Sequence, residues 1–212
     1  MSDQTSEQTS KQLTDSDRLI IERSIPDADV ECAAHRIVDA APERTFDMAR
    51  SLDFLTVRTP LLDASMWVRG LPARMKGEPP PAIGSMRLSD AIESGAMDLP
   101  GWLVLGEDPG RELAFGAVGR FWEPDIEWRE VPSGEFTSFD EPGWGKIAAS
   151  FSVRPYSADR SLLTYACRVA TTDAAARRRF RRYWWLIQPF VGHIMRATLE
   201  TIARNATLAP RN

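Results

Sequence analysis

Apolar and polar residues alternate with a period of two between residues 102 and 171, a pattern typical of β-strands that bury one face. The alternation is clearest over 147–153 and 163–169, where every second side chain is apolar. Pro109 and Gly110 separate the first two runs and suit the central positions of a type II turn. The pattern predicts six strands in a meander: Trp102–Gly106, Glu112–Trp122, Ile126–Val131, Glu135–Phe139, Lys146–Tyr156 and Leu162–Thr171.

The period changes to 3.6 after Thr172, which we expect to cap a long helix over 173–206. One broad stripe of this helix is apolar, and the opposite stripe carries arginines and Pro189. A proline on the solvent side bends a helix without exposing its buried face. The predicted inner stripe consists of Phe180, Tyr183, Trp184, Ile187, Phe190, Val191, Ile194, Thr198 and Ile202.

Residues 1–28 are mostly polar and are predicted to form a disordered tail, with 29–208 as a single domain. A strand is expected over 30–40, followed by a helix that begins at Pro42 and another that begins at Pro60. Separate blocks of helices and strands indicate an α+β fold. The expected architecture is a curved antiparallel sheet of about seven strands wrapped around the C-terminal helix, with two short helices after the first strand.

Composition narrows the classes of function. The chain has 212 residues and a net charge of −4, so its overall field does not attract nucleic acid. No apolar run is long enough to span a bilayer and no signal peptide is recognisable, so we expect a cytoplasmic protein with two free thiols. Cys32 and His35 point to opposite sides of the predicted first strand, and no group of residues has the spacing of a metal site. We therefore expect no metal and no cofactor.

Three segments resemble the helix-grip or START-like (SRPBCC) superfamily, which includes polyketide cyclases and lipid-transfer domains, and specifically a bacterial branch of it. They are the entry motif Val38-Asp39-Ala40-Ala41-Pro42-Glu43-Arg44-Thr45-Phe46, then Gly119-Arg120-Phe121-Trp122, and finally 180–190 of the last helix. The resemblance covers roughly 30–206 and implies the fold, with a space for an apolar ligand between sheet and helix. It supplies no catalytic motif.

The candidate ligand cavity consists of residues predicted to face that space. They either line a pocket for a hydrophobic, lipid-like or polyketide-like molecule, or pack together as core. Tyr165 is a weak candidate for a general acid, so a cyclase- or dehydratase-like enzyme acting without a metal remains the alternative to binding alone. The candidate residues are Leu62, Met66, Leu103, Leu105, Phe115, Phe121, Phe151, Tyr165, Cys167, Trp184, Ile187, Val191 and Met195.

Five arginines between Arg177 and Arg182 form the one dense charge run of the sequence. They lie near the predicted start of a helix, where the macrodipole disfavours positive charge. The run is either a solvated face paired with carboxylates or a contact surface for an acidic partner or a second copy of the chain. The residues predicted for such a contact are Arg178, Arg181, Arg182 and Trp185.

Overall fold

The computed structural model describes residues 18–53, 88–94 and 101–208. The helix predicted from Pro60, with Leu62 and Met66, lies outside these ranges, as do residues 1–17 of the predicted tail. The helices are α1 (Ile20–Ser24), α2 (Pro42–Arg50), α3 (Leu88–Ser94) and α4 (Ala174–Leu208). The strands are β1 (Val30–Val38), β2 (Trp102–Asp108), β3 (Glu112–Gly119), β4 (Trp128–Arg129), β5 (Gly145–Ser157) and β6 (Arg160–Thr171).

The α+β prediction is confirmed. The six strands form one antiparallel sheet in the order β1-β6-β5-β3-β2, and β4 pairs with the end of β3. The sheet curves towards α4, which lies against β1 and β6, while α2 contacts β5, β6 and α4. We call this side of the sheet the concave face and the side that contacts α1 the convex face.

The two longest strands place their alternate residues as predicted. β5 pairs with β6 without a break from Gly145↔Thr171 to Pro155↔Ser161. Phe151 stands opposite Tyr165, and both face the concave side. Because side chains alternate along a strand, Ser150 and Ser152 face the convex side. The turn between β2 and β3 also agrees, since Gly110 has a φ of 77° and the Arg111 N–H donates to the Asp108 carbonyl over 2.9 Å.

The region between β3 and β5 differs from the prediction. β4 is two residues long, and the strand predicted over 135–139 is absent because a 3-10 turn occupies Ser133–Glu135. This turn inserts Phe136, which is completely buried, into the convex-face cluster. Gly116 leaves the room for it, since a Cβ there would lie 3.1 Å from Phe136 Cζ and 2.7 Å from the Ile147 carbonyl oxygen. Burial of one aromatic ring therefore outweighs strand formation in this segment.

Residues 18–28, which were assigned to the disordered tail, are part of the fold. Ile21 and Ile25 are buried in the convex-face cluster beside Phe136 and Trp144. The carboxylate of Glu112, itself buried, accepts hydrogen bonds from the backbone N–H groups of Ile20 and Ile21 at the start of α1. The segment is held by apolar burial together with these two hydrogen bonds.

Asp173, and not Thr172, caps α4. Its Oδ1 accepts from the N–H groups of Ala175 (2.6 Å) and Ala176 (2.8 Å), which holds the pKa of this carboxyl below its usual range. Thr172 instead bonds to the backbone of Trp144 and ties the start of the helix to β5. Pro189 lies on the exposed side of α4, as predicted. No helix in the described ranges is both long and apolar enough to cross a membrane.

Glu112 provides the first test of this structure. Removing its carboxylate in Glu112→Ala leaves two buried N–H groups without partners, and we expect a loss of about 1–3 kcal/mol in the free energy of unfolding. Burial raises the pKa of Glu112 against the effect of the hydrogen bonds from Ile20 and Ile21. The folded chain thus holds the proton more tightly than the unfolded chain.

The stabilising contribution of Glu112 is therefore complete below the ordinary glutamate pKa and decreases as the pH rises through the raised value. The quantity to measure is the difference in the free energy of unfolding between the natural chain and Glu112→Gln. Denaturant unfolding of both proteins across the acidic range gives this difference. A difference that grows with rising pH would contradict the assignment.

Candidate functional site

The concave face is packed unevenly along α4. At the end near α2, the side chains of Phe46, Leu163, Leu199 and Ile202 are at most 4% exposed. We call this the packed end. At the other end, Cys32, Trp122, Tyr165, Tyr183, Trp184 and Val191 surround the buried Phe180 and Met195 but remain only half-buried themselves. We call this second region the aromatic end, and it is the candidate site.

Aromatic rings form a continuous series across the sheet. Tyr165 lies 4.5 Å from Phe151, measured between ring centroids, and Phe151 lies 6.0 Å from Phe115. The series continues from Phe115 to Trp102 (5.8 Å), from Trp102 to Trp128 (6.2 Å) and from Trp128 to Phe121 (5.8 Å). All neighbouring rings are tilted, which is a favourable arrangement for aromatic pairs.

A second group of rings joins the sheet to the helix. Phe180 of α4 lies 6.5 Å from Trp122, which follows β3, in an edge-to-face arrangement. On the helix itself, Phe180 lies 6.4 Å from Tyr183 and 6.1 Å from Trp184. Residues 180, 183 and 184 share one helix face because three or four residues complete a turn. The aromatic end is therefore lined from both the sheet and α4.

Most of the predicted cavity residues lie on the concave side. The structure brings Tyr165, Cys167, Trp184, Val191 and Met195 together at the aromatic end. Phe115 and Phe151 belong to the adjoining core, and Phe121 lies at its edge against Trp128. Ile187 is half-buried on the same stripe of α4, whereas Phe190 is 40% exposed, so its predicted place on the inner stripe is wrong.

The predictions for Leu103 and Leu105 are corrected. Both belong to the convex-face cluster with Ile21 and Phe136. The register of β2 places Trp102 and Val104 opposite Ala117 and Phe115, so these are the residues that face α4. A register shift between Val104 and Gly106 interrupts the alternation within this short strand.

Four residues that the structure brings to the site or to the ring series, Cys32, Trp102, Trp122 and Trp128, are absent from the predicted cavity. Trp102 and Trp128 carry the aromatic series to Phe121, although both lie near strand ends. Cys32 stands directly opposite Cys167 in the pairing of β1 with β6 and shares its concave orientation. A signal for Cys32 existed, because β1 alternates in the same sense as β6, but the strand order that makes them neighbours is not readable from the sequence.

Two polar groups at the aromatic end have no hydrogen-bond partner. The Nε1 of Trp122 is buried without one, and the Tyr165 hydroxyl bonds to no described residue. Burial raises the pKa of the Tyr165 phenol well above its usual value, so the group is a neutral hydrogen-bond donor at any physiological pH. A buried donor without a partner, such as Trp122 Nε1, is costly in a folded chain, and both groups are available to an acceptor on a ligand.

Three sulfur atoms lie beside Tyr165. Cys32 Sγ is 3.8 Å from Met195 Sδ, and Cys32 and Cys167 are free thiols on directly paired residues of β1 and β6. The hydrogen bond from Cys167 lowers the pKa of Cys32, whereas the same bond and burial raise the pKa of Cys167. Cys32 is therefore the more acidic and the more accessible of the two thiols.

His35 stands apart from this region, whereas His193 lies on α4 and its Nε2 is buried without a hydrogen-bond partner. His35 is exposed and hydrogen-bonds to Thr164 over 2.9 Å on the convex side, opposite to Cys32, as predicted. Within 18–53, 88–94 and 101–208, no three histidine, cysteine or acidic residues are grouped so that they could hold a metal ion.

Comparison with solved structures gives matches of low similarity. A conserved protein from Geobacillus kaustophilus is 8% identical over 84% of this chain and 95% of its own, with a TM-score of 0.38. The Zhui aromatase/cyclase from Streptomyces sp. R1128 is 10% identical over 84% and 93%, with a TM-score of 0.32. A protein from Arthrobacter aurescens is 11% identical over 88% and 94%, with a TM-score of 0.37. No family model and no curated protein matches the chain.

The two thiols allow a direct test of the site. We expect Cys32 to react with iodoacetamide at mildly alkaline pH at least about ten times faster than Cys167, because it is more exposed and its pKa is lower. Peptide mass spectrometry over a time course measures both rates in one sample. The variant Cys32→Ser should retain only the slow thiol, and equal rates for the two thiols would contradict the described geometry.

Proposed function

We propose that this protein binds or carries a hydrophobic small molecule at the aromatic end, between α4 and strands β1 and β6. The supporting observation is the difference in burial along the concave face. The packed end is filled by its own side chains, whereas Tyr165, Trp184 and Val191 retain accessible surface at the aromatic end. Accessible aromatic surface in a concave, mostly apolar region is characteristic of small-molecule sites.

The free energy available from such binding is considerable. Each Å² of apolar surface removed from water contributes about 25 cal/mol, so covering about 100 Å² of these rings would contribute about 2.5 kcal/mol. The ligand's own apolar surface contributes in the same way. The ring series from Tyr165 to Phe121 favours a ligand with flat or aromatic portions, since tilted and offset ring contacts add to the burial term.

The polar groups define the ligand further. Trp122 Nε1 is only a donor, and the Tyr165 phenol remains protonated. Both therefore favour a ligand that carries a hydrogen-bond acceptor, such as a ketone or quinone oxygen, within an otherwise apolar framework. A polyketide-like or oxygenated lipid-like molecule has this combination.

A second candidate function is catalysis in the same place, of the cyclase or aromatase type. The observation that favours it is the position of Tyr165, which faces the concave side beside Phe151. A neutral phenol can donate a proton or a hydrogen bond to a ligand carbonyl and so favour ring closure or dehydration. Binding alone requires no such step, and we place it first.

Ligand binding is tested by filling the site. Ala34 pairs with Tyr165 on the concave side of β1, whereas Ala33 is exposed on the other side. We expect Ala34→Phe to weaken binding of a fluorescent naphthylamine probe at least about tenfold, equivalent to about 1.4 kcal/mol, and Ala33→Phe to leave it unchanged. Probe fluorescence titration measures both, and circular dichroism confirms that both variants fold.

Two results would count against the proposal. One is the absence of saturable probe uptake by the natural chain, supported by native mass spectrometry after incubation with lipophilic compounds. The other is equal weakening by Ala34→Phe and Ala33→Phe, because a general loss of stability, and not a filled site, would then explain both.

Tyr165→Phe separates the two candidate functions. For a carrier, we expect the variant to bind a hydrocarbon-like probe normally and an oxygenated ligand about fivefold more weakly, as one hydrogen bond of about 1 kcal/mol is lost. For an enzyme, turnover of a poly-β-ketone substrate should disappear while binding persists. Unchanged binding of oxygenated ligands together with unchanged turnover would remove Tyr165 from both roles.

A further inference from the structure

The exposed side of the first half of α4 combines large apolar side chains with arginines. We call this the outer face and define it by Arg178, Arg182, Trp185, Leu186, Pro189 and Phe190, all of which are exposed. At 3.6 residues per turn these six positions fall within an arc of about 140°. The arc lies opposite the stripe that carries Phe180 and Trp184, so the outer face points away from the candidate site.

The apolar part of this face is highly accessible. Trp185 is 76% exposed, Leu186 63% and Phe190 40%. One helical turn separates Trp185 and Leu186 from Pro189 and Phe190. Because residues three and four apart are adjacent on a helix, these four side chains form one patch. Contiguous apolar patches on a protein surface mark sites of interaction, whereas isolated exposed apolar residues do not.

The described residues do not neutralise the charged part of the face. Arg177 forms an ion pair with Asp29 over 2.6 Å. Arg178, Arg181 and Arg182 form no ion pair with any residue in the described ranges. No aspartate or glutamate occurs between Asp173 and Glu200, although the chain as a whole is acidic. The predicted alternative of arginines paired with surface carboxylates therefore does not apply to these three.

We propose that the outer face docks on the surface of an anionic lipid membrane. Arginines along an exposed helix complement phosphate and carboxylate headgroups, and an indole ring is favoured at the boundary between headgroups and acyl chains. Trp185, Leu186 and Phe190 would enter that boundary while Arg178 and Arg182 bind the headgroups. None of the six residues that define the face carries a carboxylate.

The charge pattern is what distinguishes a lipid surface from a second copy of the chain. A symmetric dimer through this face would place Arg178 and Arg182 of one copy either near the same arginines of the other, where like charges are destabilising, or against its apolar residues. In neither arrangement does the face supply a carboxylate to pair with them. An anionic bilayer supplies the opposite charge over its whole surface. A homodimer and an acidic protein partner are therefore outcomes of the test and not the proposal.

Membrane docking would also bring a ligand close to the candidate site. This point rests on the function proposed above. Trp184 and Trp185 are consecutive residues that face the candidate site and the outer face respectively. A membrane in contact with the outer face would lie one helix diameter from the aromatic end, about 10 Å. An apolar ligand held in the bilayer could reach the site over this short distance.

The test is flotation of the full chain with vesicles. We expect binding to mixed phosphatidylcholine–phosphatidylglycerol vesicles, little binding to phosphatidylcholine alone, and weaker binding at high ionic strength because salt screens exposed charges. Each of Arg178→Ser and Arg182→Ser should weaken binding about fivefold. Trp185→Ser combined with Leu186→Ser should abolish it at all salt concentrations.

Arg204→Ser is the matched control, because Arg204 is exposed on the same helix but belongs to the other half. It should leave vesicle binding unchanged. The outer-face variants should also keep naphthylamine-probe uptake, so a failure of docking and a failure of ligand binding are separate results.

Three results would overturn the proposal. The first is no preference for anionic vesicles. The second is equal loss of binding in Arg204→Ser and Arg178→Ser, which would indicate a general charge effect. The third is a dimer in sedimentation velocity that Trp185→Ser dissociates while vesicle binding is absent, which would assign the outer face to self-association.

Discussion

The antiparallel pairing of β5 with β6 determines what every other element can contact. The two strands are the longest in the sheet and run in unbroken register from Gly145↔Thr171 to Pro155↔Ser161. Because side chains alternate with a period of two, a slip of one residue would turn Phe151 and Tyr165 away from α4. The apolar content of both faces depends on this register, since the concave core and the convex cluster with α1 use alternate residues of the same strands.

The strand β3, which pairs with β5, is covered on both of its faces. All eight of its residues are buried, because α1 and Phe136 cover one side while the aromatic core covers the other. Glu112 is tolerated at its start because its carboxylate satisfies two backbone donors of α1. A strand covered on both sides loses the alternation that reveals its orientation, and its sequence is almost continuously apolar.

The sequence was informative where a pattern is long and one-sided. β5, β6 and α4 were predicted within a few residues, since many positions contribute to each signal. Leu103 and Leu105 were assigned to the wrong face because β2 is short, neighbours the doubly covered β3 and contains a register shift. The strand predicted at 135–139 failed for a different reason, because burial of Phe136 is a tertiary contact that no local pattern reports. Likewise, Cys32 became a site residue only through the pairing of β1 with β6.

The two halves of α4 are stabilised differently, and this explains where a ligand would act. Beyond Met195, Leu199, Ile202 and Ala206 are buried against the packed end. Before it, burial is confined to Ala176 and Phe180, and Asp173 holds the first turn through its cap. Local opening is governed by the apolar contacts that a segment makes, so the first half has the lower free energy of opening. A molecule that covers Tyr165 and Trp184 would add contacts to that half, and the surface it would rigidify is the one that carries Trp185 and Leu186.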